Sequence, residues 1–288
     1  MQRTVSRVVD AVRTLEGEGM EVRRAFPTQA VGRLDPFLLL DHMGPWDFAP
    51  GAAKGAPDHP HRGFETVSYI MEGSWEHKDS QGNHGRLEAG GVQWMTAGDG
   101  VVHSEMPSQE VLEQGGRLHG IQLWVNLPVA DKRMAPRYQD LPPAAIPQVA
   151  LPEGAGTVRV IAGAFAGRSA AIDTRTPITF LHAKLAPGGS VELPAPADHA
   201  AFLYVLTGDG ALAETPLKEG QLAVLSEGDH ATVQAGSDGF DLLLLTGRPL
   251  GEPVFQWGPF VMTDRREILE AIEDYQAGRM GSIPATFA

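Results

Sequence analysis

The chain has 288 residues, no cysteine and a formal net charge of −13. That length allows one large domain or two ordinary ones, each with a real core. The lack of cysteine excludes disulfides, zinc-thiolate sites and cysteine-ligated iron–sulfur clusters, and the acidic balance argues against binding nucleic acid or anionic membranes through a basic face.

The N-terminal segment MQRTVSRVVDAVRTLEGEG lacks the apolar stretch of a secretory signal. The longest apolar run, Ala200–Leu206, is far too short to span a membrane. A cytoplasmic location is the expectation. With 34 glycines and 22 prolines, the composition favours many short strands joined by turns.

In chain order, FLLLD at Phe37–Asp41 reads as a buried strand. FETVSYIM, from Phe64, alternates toward a turn at Glu72–Gly73, and SWEHKD follows as its return strand. A second turn at Ser80–Asn83 leads into HGRLEAGG, VQWMTAGDG and VVHSEM, and RLHGIQLWVNL closes the series with alternating Ile121, Leu123 and Val125. This pattern, from Val22 to Leu127, indicates a sandwich or barrel. Leu127 to Gly156 is proline-rich, alternates poorly and reads as a linker. From Thr157 to Gly247 a second strand-rich block (TVRVIAG, ITFLHAKL, AAFLYVLTGDG, QLAVLSEG, DLLLLTG) suggests an internal duplication. The end of the chain differs: Ile268, Leu269, Ile272 and Tyr275 recur at helical spacing, with Asp264 and Glu267 placed for a capping-box start and Gly278 for a stop. A helix over Asp264–Ala277 is expected to dock on a barrel, the N-terminal one if the C-terminal segment crosses over.

Two short motifs carry chemistry. His59 and His61 stand two apart in DHPHRGFETVSYIMEG, and His103 and Glu105 two apart in AGDGVVHSEMP. Residues two apart on a strand project to one side, so each pair can aim two ligands at one point. If the segments lie side by side, three imidazoles and a carboxylate converge on one ion. Such a set suits iron, copper, nickel, manganese or zinc, with room for exogenous ligands. Gly63, Gly90, Gly91, Gly98 and Gly100 permit tight turns and close backbone approach beside these ligands. Glu65, four residues beyond His61, reads as lying on the same alternating face and competes with Glu105 for the fourth position. Asp58 shapes the turn. His42, His77, His84, His119, His182, His199 and His230 read as ordinary core or surface histidines.

His59-Pro60-His61, followed by Glu65 and Gly73, resembles the first cupin motif, and Gly98, Gly100 and His103 resemble the second. Within the cupins, HPHRGFETVSYIMEG, WMTAGDGVVHSE, GIQLWVNLP and GPFVM…DYQAG resemble the pirin family, over nearly the whole chain. The resemblance implies an all-β fold of two cupin (jelly-roll β-barrel) domains with a short C-terminal helix. It implies a metal-binding cupin at residues 1–133 and a second cupin without a metal site at 134–288, ending in the helix. It implies metal ligands at His59, His61, His103 and Glu105, with Glu65 not a ligand. One divalent transition metal per chain is expected, Fe(II) first among the candidates. In the second block the place of the histidine pair holds His199-Ala200-Ala201, and Ala231 stands where the second motif needs histidine, so no site can be assembled there.

The resemblance also implies a metal-dependent dioxygenase that opens the heterocycle of quercetin-like flavonols with O2, with Glu105 as catalytic base. Trp94, Met95 and Phe64 are candidate pocket residues, or core. The expected partners are a flavonol or other small aromatic substrate and O2, with neither nucleic acid nor membrane. The alternative is a metal-dependent redox-sensing regulator acting through a protein partner.

Overall fold

In the computed structural model, which describes residues 1–285, the alternating segments of the first block form two β-sheets. One holds seven strands in the order Arg137–Leu141, Val92–Thr96, Phe64–Glu72, Gly116–Asn126, Phe37–Phe48, Met20–Phe26 and Val12–Glu16. The other holds four: Ala56–His61, Val101–Pro107, Ser74–Asp79 and His84–Glu88. Met20, Val22, Met43, Ile70, Trp75 and Leu118 cluster in an apolar core. Ser68 and His77 stand two positions from Ile70 and Trp75, so they face the same interior. That interior is therefore apolar in one part and polar in another.

The turn at Glu72–Gly73 does not make a hairpin. Phe64–Glu72 and Ser74–Asp79 lie in different sheets, and the chain crosses between them at Gly73. Gly73 has φ +79°, and a Cβ there would lie 2.5 Å from the Arg117 carbonyl oxygen, so only glycine fits. The hairpin at Ser80–Asn83 does form. The Asp79 carboxylate accepts from the backbone N–H of Gln81 at 2.9 Å and of Asn83 at 2.8 Å, a turn closed by a side chain.

The proline-rich segment is not a plain linker. Arg137–Leu141 pairs with Val92–Thr96, and Gln148–Ala150 pairs with Gly156–Ala162. Both are terminal strands in their sheets. An edge strand needs a partner on one side only, so flanking prolines such as Pro136, Pro142 and Pro147 are tolerated and hide the pattern.

The second block forms a nine-stranded sheet. Its main path runs Val5–Asp10, Gln221–Leu225, Ala200–Leu212, His230–Gly247, Ile178–Leu185, Gly156–Ala162 and Gln148–Ala150; Ser190–Pro194 and Thr215–Lys218 pair at its side. Val158, Leu181, Leu203, Val233, Leu242 and Leu244 are part of its aliphatic core.

Neither unit is one continuous stretch. Met1–Val12, Ala25–Pro36 and Ala144–Leu250 group together, and Arg13–Arg24 and Phe37–Pro143 group with the segment from Gly251 onward. The terminal segment thus belongs with the strands that carry the histidine pair, rather than with the block that precedes it.

The helix spans Arg265–Gln276. The Asp264 side chain accepts from the Glu267 N–H at 2.8 Å, and Glu267 accepts from the Thr263 N–H at 3.0 Å. The reciprocal bond therefore reaches one residue further back than in a standard capping box. Ile268, Ala271 and Ile272 pack with Val102, Phe260, Met262 and Met280, whereas Leu269 and Tyr275 stay exposed. None of the described helices is long and apolar enough to cross a membrane.

Three tethers bind this segment to the turn after His61. Val261 N–H donates to the Arg62 carbonyl at 3.0 Å. The buried Arg62 guanidinium donates to Asp274 Oδ2 at 2.7 Å and to the Asp99 carbonyl at 2.5 Å. Lys132, also buried, places Nζ 2.8 Å from the Gly63 carbonyl, 2.7 Å from Asn126 Oδ1 and 3.0 Å from the Val261 carbonyl. Its three donors thus meet three acceptors.

Lys132→Met deprives those acceptors of their shared donor and is expected to destabilise this unit by about 3 kcal/mol. All five tryptophans lie in the unit that carries Lys132, so the urea midpoint of tryptophan fluorescence reads its stability. Ending the chain after Gly258 should lower the same midpoint, because the helix and the Val261 tether go together.

Candidate metal centre

His59 and His61 close the strand Ala56–His61, which pairs antiparallel with Val101–Pro107 and sets His103 opposite His59 and Val101 opposite His61. Strand alternation and register together bring the three imidazoles to one point. His59 Nε2 is 3.0 Å from His61 Nε2. The ring centroids of His59 and His103 lie 4.4 Å apart, and those of His61 and His103 4.9 Å. One nitrogen from each residue lies within 4.8 Å of the other two.

The donors are prepared electronically. His59 Nδ1 lies 2.7 Å from the Pro57 carbonyl oxygen, so it carries the proton and leaves Nε2 its lone pair. Burial, helped by the neighbouring imidazoles, holds His61 and His103 well below the usual histidine range, so both are neutral. Both nitrogens of His103 are buried without a hydrogen-bond partner. Each such group costs on the order of 1–3 kcal/mol if nothing satisfies it. Three converging imidazoles fit a divalent transition metal.

Glu105 is not in that trio. A register shift separates it from His103, and its carboxylate turns to the opposite sheet. Ser68 Oγ is 2.5 Å from Oε1, and Gln122 Nε2 donates to Oε2 at 2.9 Å. Glu65 points elsewhere. Ser68 faces the centre, and Glu65, three residues earlier on the same strand, faces the other side. There Thr96 Oγ1 donates to Glu65 Oε1 at 2.6 Å. The alternation counted from His61 fails because Arg62 and Gly63 end one strand before Phe64 begins the next.

Of the expected aromatic neighbours, Phe64 touches His61 with centroids 5.1 Å apart. Trp94 lies opposite Val67, on the face that carries Glu65, while Met95 packs with Ala97, Val101 and Tyr138. Sequence reasoning missed Trp124, which is partly exposed and lies 5.3 Å from His61 and 4.5 Å from Phe64 between ring centroids. It also missed Gln122, two residues earlier on the same strand. The alternation of GIQLWVNL, read for its apolar half alone, hid both.

The remaining histidines lie outside the trio. His77, opposite Glu105 on the neighbouring strand, is buried and stacks on Tyr138 at 5.2 Å. His42 Nε2 and His119 Nε2 are 2.7 Å apart. In the unit with the nine-stranded sheet, Ala201 and Ala231 lie inside the aliphatic core, and His199 Nδ1 is 2.9 Å from Thr246 Oγ1.

His61→Ala is expected to weaken divalent-metal binding by more than the roughly 10–100-fold typical of losing an outer partner, in a chelator-competition titration. Glu65→Gln should leave that affinity within about threefold, because its face carries no ligand.

Residues 19–125 match the family model described as Pirin, and residues 180–281 the one described as Pirin C-terminal cupin domain. A Pseudomonas aeruginosa protein whose name proposes quercetin 2,3-dioxygenase activity is 42% identical, over 97% of this chain and 98% of its own. Human Pirin is 42% identical, over 92% of this chain and 90% of its own. The crystal structure of quercetin 2,3-dioxygenase from Acinetobacter baumannii matches with a TM-score of 0.93 at 39% identity, covering 99% of this chain and 100% of the other. From both cupins and nearly the full length, the chain is a member of the pirin family.

Proposed function

We propose that this pirin is a metal-dependent dioxygenase that opens the heterocycle of quercetin-like flavonols with O2 and loss of carbon monoxide. The observation that carries the reading is the trio of converging imidazoles, two of them buried and held neutral, next to a partly exposed tryptophan. The relatives named for quercetin 2,3-dioxygenase support it.

In this reading His59, His61, His103 and Glu105 hold one divalent transition metal per chain, Fe(II) first. When bound, such an ion favours ionisation of a coordinated hydroxyl and stabilises the charge that develops as O2 reacts. Glu105, two residues beyond His103 on the strand Val101–Pro107, takes the proton of the flavonol 3-hydroxyl. Trp124 and Phe64 offer aromatic faces to a planar ligand. Burial of His61 and His103 keeps bulk water from that side of the centre.

The test is oxygen uptake with quercetin by protein reconstituted with each candidate metal. The expected result is one metal per chain, with O2 consumed and carbon monoxide released in equal amounts. Glu105→Gln should keep the fold and lower kcat by about 10²–10⁴-fold, the scale of a lost general base. Stoichiometric metal without uptake for any metal would contradict the enzyme reading and favour a redox switch acting through a protein partner.

A further inference from the structure

Ser68 and Gln122 face each other across the strands Phe64–Glu72 and Gly116–Asn126. Together they occupy both oxygens of Glu105, which comes from the other sheet. We infer that this pair is a second seat for the Glu105 carboxylate, so that Glu105 alternates between the three histidines and Ser68/Gln122, vacating a position for an ionised substrate hydroxyl. The inference rests on the reading of Glu105 as a ligand.

The hydrogen-bond inventory supports two seats rather than one. Ser68 Oγ is 2.5 Å from Glu105 Oε1 and 2.8 Å from Gln122 Oε1. A hydroxyl has one proton, so Ser68 can serve only one of these acceptors at a time. When Glu105 leaves, Ser68 turns to Gln122 Oε1 and loses nothing. Gln122 is partly exposed, so water can take the place of Glu105 at Nε2. Emptying the seat therefore leaves no buried group unsatisfied.

The movement is one of the side chain: a register shift between His103 and Glu105 interrupts the pairing with Ala56–His61, while on the other edge Glu105 stays paired opposite His77. Glu105 and His59 are partly exposed, whereas His61 and His103 are buried. His59 is held by its Nδ1 contact with the Pro57 carbonyl, which leaves the carboxylate as the member with room to change place.

The test uses cobalt(II) on the full chain, without substrate, reading the dissociation constant by chelator competition and the visible absorption of the bound ion. Gln122→Leu removes a donor from the second seat, so Glu105 should stay with the histidines and cobalt should bind about tenfold more tightly, on the scale of one hydrogen bond to a charged group. The visible spectrum should shift as well. Ser68→Ala, which deletes one hydroxyl, should act in the same direction and guards against a misfolded leucine variant. In a Glu105→Gln background neither change should matter.

Weaker binding would mean that Ser68 and Gln122 hold Glu105 for coordination, and would overturn the inference. Unchanged binding, or an effect that persists in Glu105→Gln, would overturn it too. If no cobalt binds even to the parent protein, the metal reading itself fails. That outcome is distinct from metal binding that ignores Ser68 and Gln122.

Discussion

The pairing of Ala56–His61 with Val101–Pro107 is the constraint on which the centre depends. With His103 opposite His59, three imidazoles from two strands share one face and one point. A slip of one residue would turn the ligands of one strand to the opposite face. Much of the surrounding structure acts to hold that register. Gly63 lets the chain turn just after His61 where a Cβ would lie 2.0 Å from the Val261 carbonyl oxygen. Arg62 and Lys132 then fasten the turn to the terminal segment.

The two cupins spend their interiors differently. In the second, Ala201 and Ala231 join an aliphatic core that fills the space between strands. In the first, Ser68, His77, His103 and Gln122 replace apolar side chains, and buried polar groups are costly unless paired. The terminal segment supplies part of what that polar interior cannot. Ile268, Ala271 and Met280 add apolar contact against Val102, on the strand that bears His103. A helix of twelve residues is marginal alone, so its stability and that of the ligand strand are shared.

The sequence made some of this legible. Period-two spacing exposed His59, His61 and His103, because a strand converts spacing into direction. Helical spacing and Asp264 marked the terminal helix. Three features escaped for identifiable reasons. Glu65 was read onto the wrong face, since Arg62 and Gly63 break the strand and restart the count. Tyr138 and Lys132 lie in a proline-rich stretch whose edge strand shows too few alternations. Ser68 and Gln122 are ordinary polar residues in apolar strands, and only the pairing of distant segments makes them a site.

Anomalous X-ray diffraction from crystals loaded with a divalent transition metal tests the central claim most directly. The account predicts one peak per chain, bounded by His59 Nε2, His61 and His103, with nothing at the His42–His119 pair or in the core around Ala201 and Ala231. A peak at His42 and His119 instead, or none between the three histidines at full metal saturation, would contradict it.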